Sequence, residues 1–309
     1  MRPIRLEPLR PLGLGPVAVA VGNFDGVHRG HQVLVSEALS AARGGAGGAL
    51  VLTFDPHPSR VLSPDRAPST LMTLEQRLEA LGRAGADRVA VLPFDRELAQ
   101  RSPAAFARAV LRDALSAKVV VVGEHFRFGH ERSGDLAALR ALGDELGFSV
   151  QGIPPVLYQG VPISSTRIRE ALARGAVRSV SEMAGRPYLV EGRVVAGAGR
   201  GRALGIPTAN LEPLNELLPC RGVYAGRCRR RDGAAGPWRA VFNVGHRPTF
   251  GAGEVVLEAH LLDFDGDLYG ATLYAEFVER VRDEQRFEGP EPLARQIRRD
   301  IEKARELMS

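Results

Sequence analysis

At 309 residues with 44% hydrophobic side chains, the chain is long enough to bury a core in about two domains of roughly 150 residues each. Its net charge of +5 is carried almost wholly by arginine, because lysine occurs only at Lys118 and Lys303; neither follows a glycine-rich turn, so a GxxxxGK[ST] phosphate loop is excluded. No apolar stretch approaches a membrane span, Met1-Arg2-Pro3-Ile4-Arg5 opens no signal-peptide core, and the two cysteines, Cys220 and Cys228, form no CxxC pattern, so a cytoplasmic protein without a structural disulfide is expected.

The apolar run 17–21 breaks into Gly22-Asn23-Phe24-Asp25-Gly26-Val27-His28-Arg29-Gly30-His31, and the spacing of Leu34, Val35, Ala38, Leu39 and Ala42 predicts a helix with one buried stripe immediately after it. A strand thus delivers two histidines to a helix N-terminus, where unpaired N–H groups and the peptide dipoles favour an anion such as phosphate. Gly26 and Gly30 let the backbone approach closely, and His28 and His31 can donate to phosphate oxygens; taken as a lone pair, they would suit a structural role equally well.

Further apolar runs follow at 49–54, 88–92, 119–122 and 148–153, separated by helical patterns at 74–84, 103–115 and 134–146. Runs such as Val119-Val120-Val121-Val122 have no polar alternation, as expected for strands covered on both faces, which implies a parallel α/β sheet. Ligands in such sheets bind at the carboxyl ends of strands, where the loops at Asn23, Asp55 and Glu124 emerge. At Ile163-Ser164-Ser165-Thr166-Arg167-Ile168-Arg169 a hydroxyl run opens a short predicted helix, 166–174. Hydroxyls and guanidinium groups there suit phosphate oxygens, although Ser-Thr before a helix is by itself an ordinary N-cap.

Near Ser179 the pattern changes. The segments 189–196, 223–229, 239–244, 255–262 and 271–278 read as strands joined by Gly, Asp and Pro turns, which predicts a small antiparallel barrel or sandwich. A closing amphipathic helix, 292–307, carries Leu293, Ile297, Ile301 and Ala304 on one face. The boundary is placed at Gly185, giving domains 1–184 and 185–309. Gly197 to Arg202 begins like GxGxxG, but the last glycine is missing and no helix follows, so a dinucleotide fingerprint fails. In Gly205-Ile206-Pro207-Thr208-Ala209-Asn210 a hydroxyl and an amide oxygen stand two residues apart, on one face if extended, as hard ligands for magnesium; a proline turn with a side-chain cap would also explain the hexapeptide. Arg227, Arg229, Arg230 and Arg231 run into Gly233-Ala234-Ala235-Gly236-Pro237 without stacking aromatics, which reads as a solvated hairpin tip, and no nucleic-acid partner is expected.

Two motif sets carry a resemblance. The His28-Arg29-Gly30-His31 and ISSTRIR segments resemble the HxGH and ISSTxxR signatures of the nucleotidyltransferase superfamily. GNFDGVHRGH, TFDPHP from Thr53 to Pro58 and GEHFRFG from Gly123 to Gly129 are similar to its FMN adenylyltransferase branch, over about the first 180 residues. From about Gly185, Gly197–Arg202 with LGIPTAN, Gly222-Val223-Tyr224, Asn243 to Phe250, and Glu258-Ala259-His260 with Asp267-Leu268-Tyr269-Gly270 resemble riboflavin kinase. In this order the halves resemble the bifunctional bacterial riboflavin kinase and FAD synthetase family.

That resemblance implies a Rossmann-like nucleotidyltransferase sheet followed by a small antiparallel β-barrel, and an enzyme that phosphorylates riboflavin to FMN and adenylylates FMN to FAD with ATP and Mg2+. Carried over residue by residue, it makes Glu258 the general base of the kinase, with Thr208 and Asn210 holding magnesium and ATP phosphates and Gly199 beside them. His28 and His31 become catalytic in adenylyl transfer, with Gly22, Asn23, Phe24, Asp25, Gly30, Ser165, Thr166 and Arg169 binding ATP. His57, His125, Arg127, Phe128 and Arg282 are assigned to the flavin. His125 stands where the family usually carries aspartate or asparagine, so a working kinase beside an impaired adenylyltransferase is one alternative. A metallohydrolase using His28, His31 and Asp25 is another, and a non-catalytic flavin-binding protein a third. Small-molecule substrates, no nucleic acid, no membrane, and a monomer or weak homo-oligomer complete the expectation.

Overall fold

The structure is a computed structural model that describes residues 3–7, 9–197, 201, 205–246 and 255–308. It divides into two compact units, Met1–Ser164 and Ser165–Ser309.

The first unit runs β1 (Ile4–Arg5), β2 (Val17–Val21), α1 (Arg29–Ala41), β3 (Gly48–Asp55), α2 (Pro58–Leu62), α3 (Leu74–Arg83), β4 (Val89–Pro93), α4 (Arg96–Ala99), α5 (Pro103–Phe106), β5 (Ala117–Gly123), α6 (Leu136–Leu146), β6 (Ser149–Ile153) and a small hairpin of β7 (Leu157–Tyr158) and β8 (Val161–Pro162). After α5 the chain continues helically to Ala114 with wider π-type turns. Six strands form one parallel sheet in the order β1-β4-β3-β2-β5-β6. The chain leaves β2 in one direction for β3 and β4, then returns to its other side for β5, so the topological switch lies beside β2 and ligand loops are expected there.

All five residues of β2 are buried because the sheet is covered on both faces. Val17, Val19 and Val21 pack in a cluster with Phe106, Val110 and Leu111; Ala18 and Ala20 pack with Leu34, Val35 and Ala38 of α1 and Leu81 of α3. Burying each valine contributes about 1.5–3 kcal/mol. Helix α3 starts at a capping box in which Thr73 and Gln76 satisfy each other's backbone N–H groups.

The second unit begins with α7 (Ser165–Ala173) and α8 (Val177–Ala184) and continues through β9 (Tyr188–Val195), β10 (Ala209–Pro213), β11 (Gly222–Arg230), β12 (Trp238–His246), β13 (Val255–Leu261), β14 (Thr272–Arg282) and a C-terminal helix, Pro290–Leu307. The strands close as an antiparallel barrel in the order β10-β13-β12-β11-β14-β9. Strand β10, which the residue pattern left between a proline turn and an extended segment, is what completes the barrel: it pairs β13 on one side and β9 on the other. Tyr224, Phe242 and Phe277 are fully buried and pack ring to ring at 4.9–5.4 Å. On a second face, Val223, Ala225 and Val241 pack with Ala304 and Ile301 of the C-terminal helix.

The basic cluster of β11 is more than a solvated tip. Arg231 donates to Glu191 at 2.6 Å, a carboxylate only 1% exposed, Arg230 pairs with Asp232 at 2.7 Å, and Arg229 lies 4.4 Å over the Tyr274 ring and 3.5 Å from Glu276. Three of the four arginines thus have acidic or aromatic partners within the second unit.

Candidate functional sites

In the first unit the loop after β2 is held in a conformation that few sequences adopt. Phe24 and Val27, both buried, have φ of 52° and 37°, in the left-handed region that costs non-glycine residues of order 1–3 kcal/mol each. The Asp25 carboxylate, 3% exposed, is turned inward and accepts the Leu71 N–H at 2.9 and 3.1 Å. Gly26 has φ of 87°, and a methyl group there would lie 2.7 Å from Leu71 Cδ1. The contacts with Leu71 thus oppose the strain in the loop.

This arrangement delivers the histidine pair. His28 caps α1, its Nδ1 accepting the His31 N–H at 3.3 Å, so in the neutral ring the proton sits on Nε2 as a donor. The rings of His28 and His31 stack with centroids 3.6 Å apart, and His31 also lies 5.1 Å from the Phe24 ring. Gly30 permits this, since a methyl group there would sit 3.2 Å from the His28 ring. Gly22, Asn23, Phe24, Asp25 and Gly30 therefore build the backbone around the histidines, and the Asp25 side chain acts through Leu71.

The end of β3 joins the same cluster. Asn23 Nδ2 lies 3.3 Å from His57 Nε2, His57 Nδ1 lies 2.7 Å from Ser59 Oγ, and the Thr53 hydroxyl donates to the Asn23 carbonyl at 3.0 Å. Beneath them is Arg77 of α3, 6% exposed, a residue the motif reading passed over. Its Nη1 donates to the carbonyls of Asn23 at 3.0 Å and Phe54 at 2.9 Å, and Nη2 lies 3.3 Å from Asp55. Burial pushes the guanidinium pKa down, and the Asp55 and Asp25 carboxylates oppose that shift. The available signal was an arginine on the apolar stripe of Leu74, Leu78 and Leu81.

At the end of β5 the assigned residues diverge. His125 and Arg127 are exposed, with Arg127 3.4 Å from Asp135, whereas Phe128 is buried against Phe106 and Phe126 with centroids 5.9 and 5.5 Å away. Among the described residues no three His, Cys, Asp or Glu side chains converge to hold a metal ion, and Asp25 faces Leu71.

In the second unit Ser165 opens α7, with Thr166 exposed and Arg169 half-buried on its first turns. The barrel builds a separate cluster. Glu258 on β13 stands directly opposite Asn210 of β10 and directly opposite Asn243 of β12, so the three form one cross-strand row. Asn243 was absent from the assigned residues, because cross-strand register is invisible along one strand. Gly197 lies against Asn210 so closely that a methyl group would overlap the amide, and a methyl group on Gly201 would lie 3.2 Å from Thr208 Oγ1. Thr208 and Asn210 stand two residues apart beside this glycine cradle, and each carries a neutral side-chain oxygen of the hard-ligand type that suits magnesium. Gly199 lies outside the described residues.

Arg282 is tied to the C-terminal helix. Its Nε and Nη2 donate to the Asp300 carboxylate at 2.7–3.1 Å, and Nη1 to the Asp283 carbonyl at 2.8 Å. Asp300, 3% exposed on the C-terminal helix, also accepts from Gln296 at 2.9 Å.

A family model described as FAD synthetase matches residues 13–167, and one described as riboflavin kinase matches residues 184–308. A bifunctional riboflavin kinase/FMN adenylyltransferase of Pseudomonas fluorescens is 39% identical over 303 residues, 98% of this chain and 96% of that protein. The protein of the same description from Escherichia coli K12 is 37% identical over 93% of this chain and 91% of its own. A crystal structure described as a macrolide-efflux protein from Streptococcus pneumoniae has a TM-score of 0.90 and 32% identity over 99% of both chains; among the described residues here no helix is long and apolar enough to cross a membrane. With a parallel sheet that presents a stacked histidine pair and a barrel that presents the Asn210–Glu258–Asn243 row, the chain belongs to the bifunctional riboflavin kinase/FMN adenylyltransferase family.

Proposed function

We propose that residues 185–309 transfer the γ-phosphoryl group of ATP to riboflavin, and that residues 1–184 join the resulting FMN to the adenylyl group of a second ATP, releasing pyrophosphate. The observation that carries the kinase assignment is the direct cross-strand placement of Glu258 against Asn210 beside a glycine cradle. The ribityl hydroxyl is almost un-ionised at neutral pH. Glu258 takes its proton as the oxygen attacks the γ-phosphorus and ADP leaves. Thr208 and Asn210 would hold Mg2+, which supplies charge neutralisation for the transferring phosphoryl group.

Adenylyl transfer needs no base, because the FMN phosphate, with a second pKa of about 6, arrives as an anion. Its oxygen attacks the α-phosphorus and the bond to pyrophosphate breaks, with no covalent enzyme intermediate. Charge crowding is the obstacle, and donors from the stacked histidines at a helix N-terminus oppose it. The ISSTRIR motif supports giving Ser165, Thr166 and Arg169 triphosphate contacts. His57, His125 and Arg127 are assigned to the flavin side. Phe128, being buried, supports that surface through Phe126, and Arg282 acts through Asp300.

The test incubates the protein with ATP and Mg2+, with riboflavin in one sample and FMN in another, and separates the flavins. FMN and then FAD from riboflavin, and FAD from FMN, are expected. FMN alone would mean an impaired first half, with His125→Asn as the repair to try, and no product would refute the enzymatic reading. Glu258→Gln should abolish FMN formation and leave FAD formation from FMN intact.

A further inference from the structure

Arg77 is a buried cation that stability alone does not require. It occupies the apolar stripe of α3 between Leu74, Leu78 and Leu81, where an apolar side chain of similar length would bury without the cost of removing a charge from water. What the guanidinium does instead is bridge two strand ends. Nη1 reaches the Asn23 carbonyl at 3.0 Å on the loop after β2, and the Phe54 carbonyl at 2.9 Å and Thr53 Oγ1 at 3.3 Å on β3, while Nη2 lies 3.3 Å from Asp55. Its Nε has no hydrogen-bond partner among the described residues, so the fork is aimed at those strand ends at the expense of its third nitrogen.

The side chains on either side of this bridge are the ones assigned to the two substrates. Asn23 belongs to the nucleotide loop that leads to His28 and His31, and His57 follows Asp55 by two residues. The Asn23 amide and the His57 ring are 3.3 Å apart. We propose that Arg77 is a positioning residue for adenylyl transfer: by tying the backbone of Asn23 to that of Phe54 and to Asp55, it sets the spacing between the nucleotide loop and the flavin-side residue His57. This rests on the assignment of the first half as the adenylyltransferase. In-line attack tolerates little misplacement, and a shift of about 1 Å between two reactants can cost about 10²-fold in rate.

The full chain with Arg77→Met is compared with wild type, and the kinase half of the same molecule serves as the internal standard. FAD formation from FMN is expressed per FAD-binding site, counted by titration, so that a smaller folded fraction does not count as slower chemistry. Riboflavin phosphorylation should stay within about twofold, kcat for FAD formation should fall about 10²-fold, and KM for FMN should rise while KM for ATP changes little. Arg77→Lys, which keeps the charge and reaches fewer oxygens, should recover part of the rate. Combining Arg77→Met with His57→Ala should cost no more than the worse single change, because one acts through the other. An unchanged kcat per binding site, or losses that multiply in the double variant, would overturn the proposal and leave the adenylyltransferase assignment standing. Failure of the wild type to make FAD from FMN would remove that assignment and the proposal with it.

Discussion

His260 donates from Nδ1 to the carbonyl oxygen of Pro207 at 2.7 Å, tying β13 to the segment that carries Thr208 and Asn210. A carbonyl can only accept, so this bond assigns the ring proton to Nδ1. His260 lies two residues from Glu258 on the same strand, so its ring and the carboxylate share a face. His260→Leu should raise KM for ATP in riboflavin phosphorylation by roughly 5–10-fold, equivalent to about 1 kcal/mol. His260→Asn, whose amide can replace the Nδ1 donor, should restore most of it. Equal losses in both activities would show a general folding defect instead.

Gly197→Ala tests the cradle. The added methyl group would overlap the Asn210 amide and push it from its place opposite Glu258. FMN formation should drop by at least 10²-fold, and FAD formation from supplied FMN should be unaffected. Retained kinase activity would mean that Asn210 does not need its present position.

The Arg282–Asp300 pair joins the end of β14 to the C-terminal helix, with Asp300 3% exposed. Arg282→Met strands a buried carboxylate and should destabilise the second unit by about 3–5 kcal/mol in urea unfolding. The double change Arg282→Met with Asp300→Leu should recover a large part of that loss. If Arg282 served only the flavin, the single variant would unfold like wild type and change only KM for riboflavin.

Cys228 provides a pH signature. Burial of its side chain in β11, with Glu276 nearby, pushes the thiol pKa up to about 12. Above about pH 8.5 the unfolded chain releases a proton that the folded chain keeps, so stability is intact below that pH and falls as pH rises toward about 12. The slope should be about 1.4 kcal/mol per pH unit from this group. Unfolding at about pH 8 and about pH 10 should show a smaller alkaline loss for Cys228→Ala than for wild type, and the native thiol should resist alkylation. An identical alkaline loss in the variant would place the titration elsewhere.

Along the chain, local order was legible wherever burial imposes a period. The unbroken run Val17–Val21, the stripe of Leu34, Val35 and Ala38, and the helix ending at Leu307 all follow from which residues must leave water, and the structure places elements there. The placement of His28 and His31 at the start of α1 was equally local, because a strand, a glycine turn and a helix N-terminus are contiguous in sequence. Strand β10 was less so: Ala209–Pro213 is short and ends in proline, and only its pairing with β9 and β13 makes it a strand.

Long-range placement was decided by the tertiary structure alone. Nothing near Arg77 in sequence indicates that its guanidinium meets Asn23, 54 residues away, since a hydrogen bond between distant strand ends depends on sheet order rather than on periodicity. Arg282 was assigned to the flavin, and its pairing with Asp300 emerged only when β14 and the C-terminal helix packed together. Asn243 gained meaning only from register, because a one-residue slip of β12 would turn it to the opposite face. Sequence by itself determined which segments become strands and helices and which motifs they carry, through local hydrophobic period and backbone chemistry. Closure of the barrel and crossing of the sheet decided which polar groups meet, because those meetings depend on which strands are neighbours.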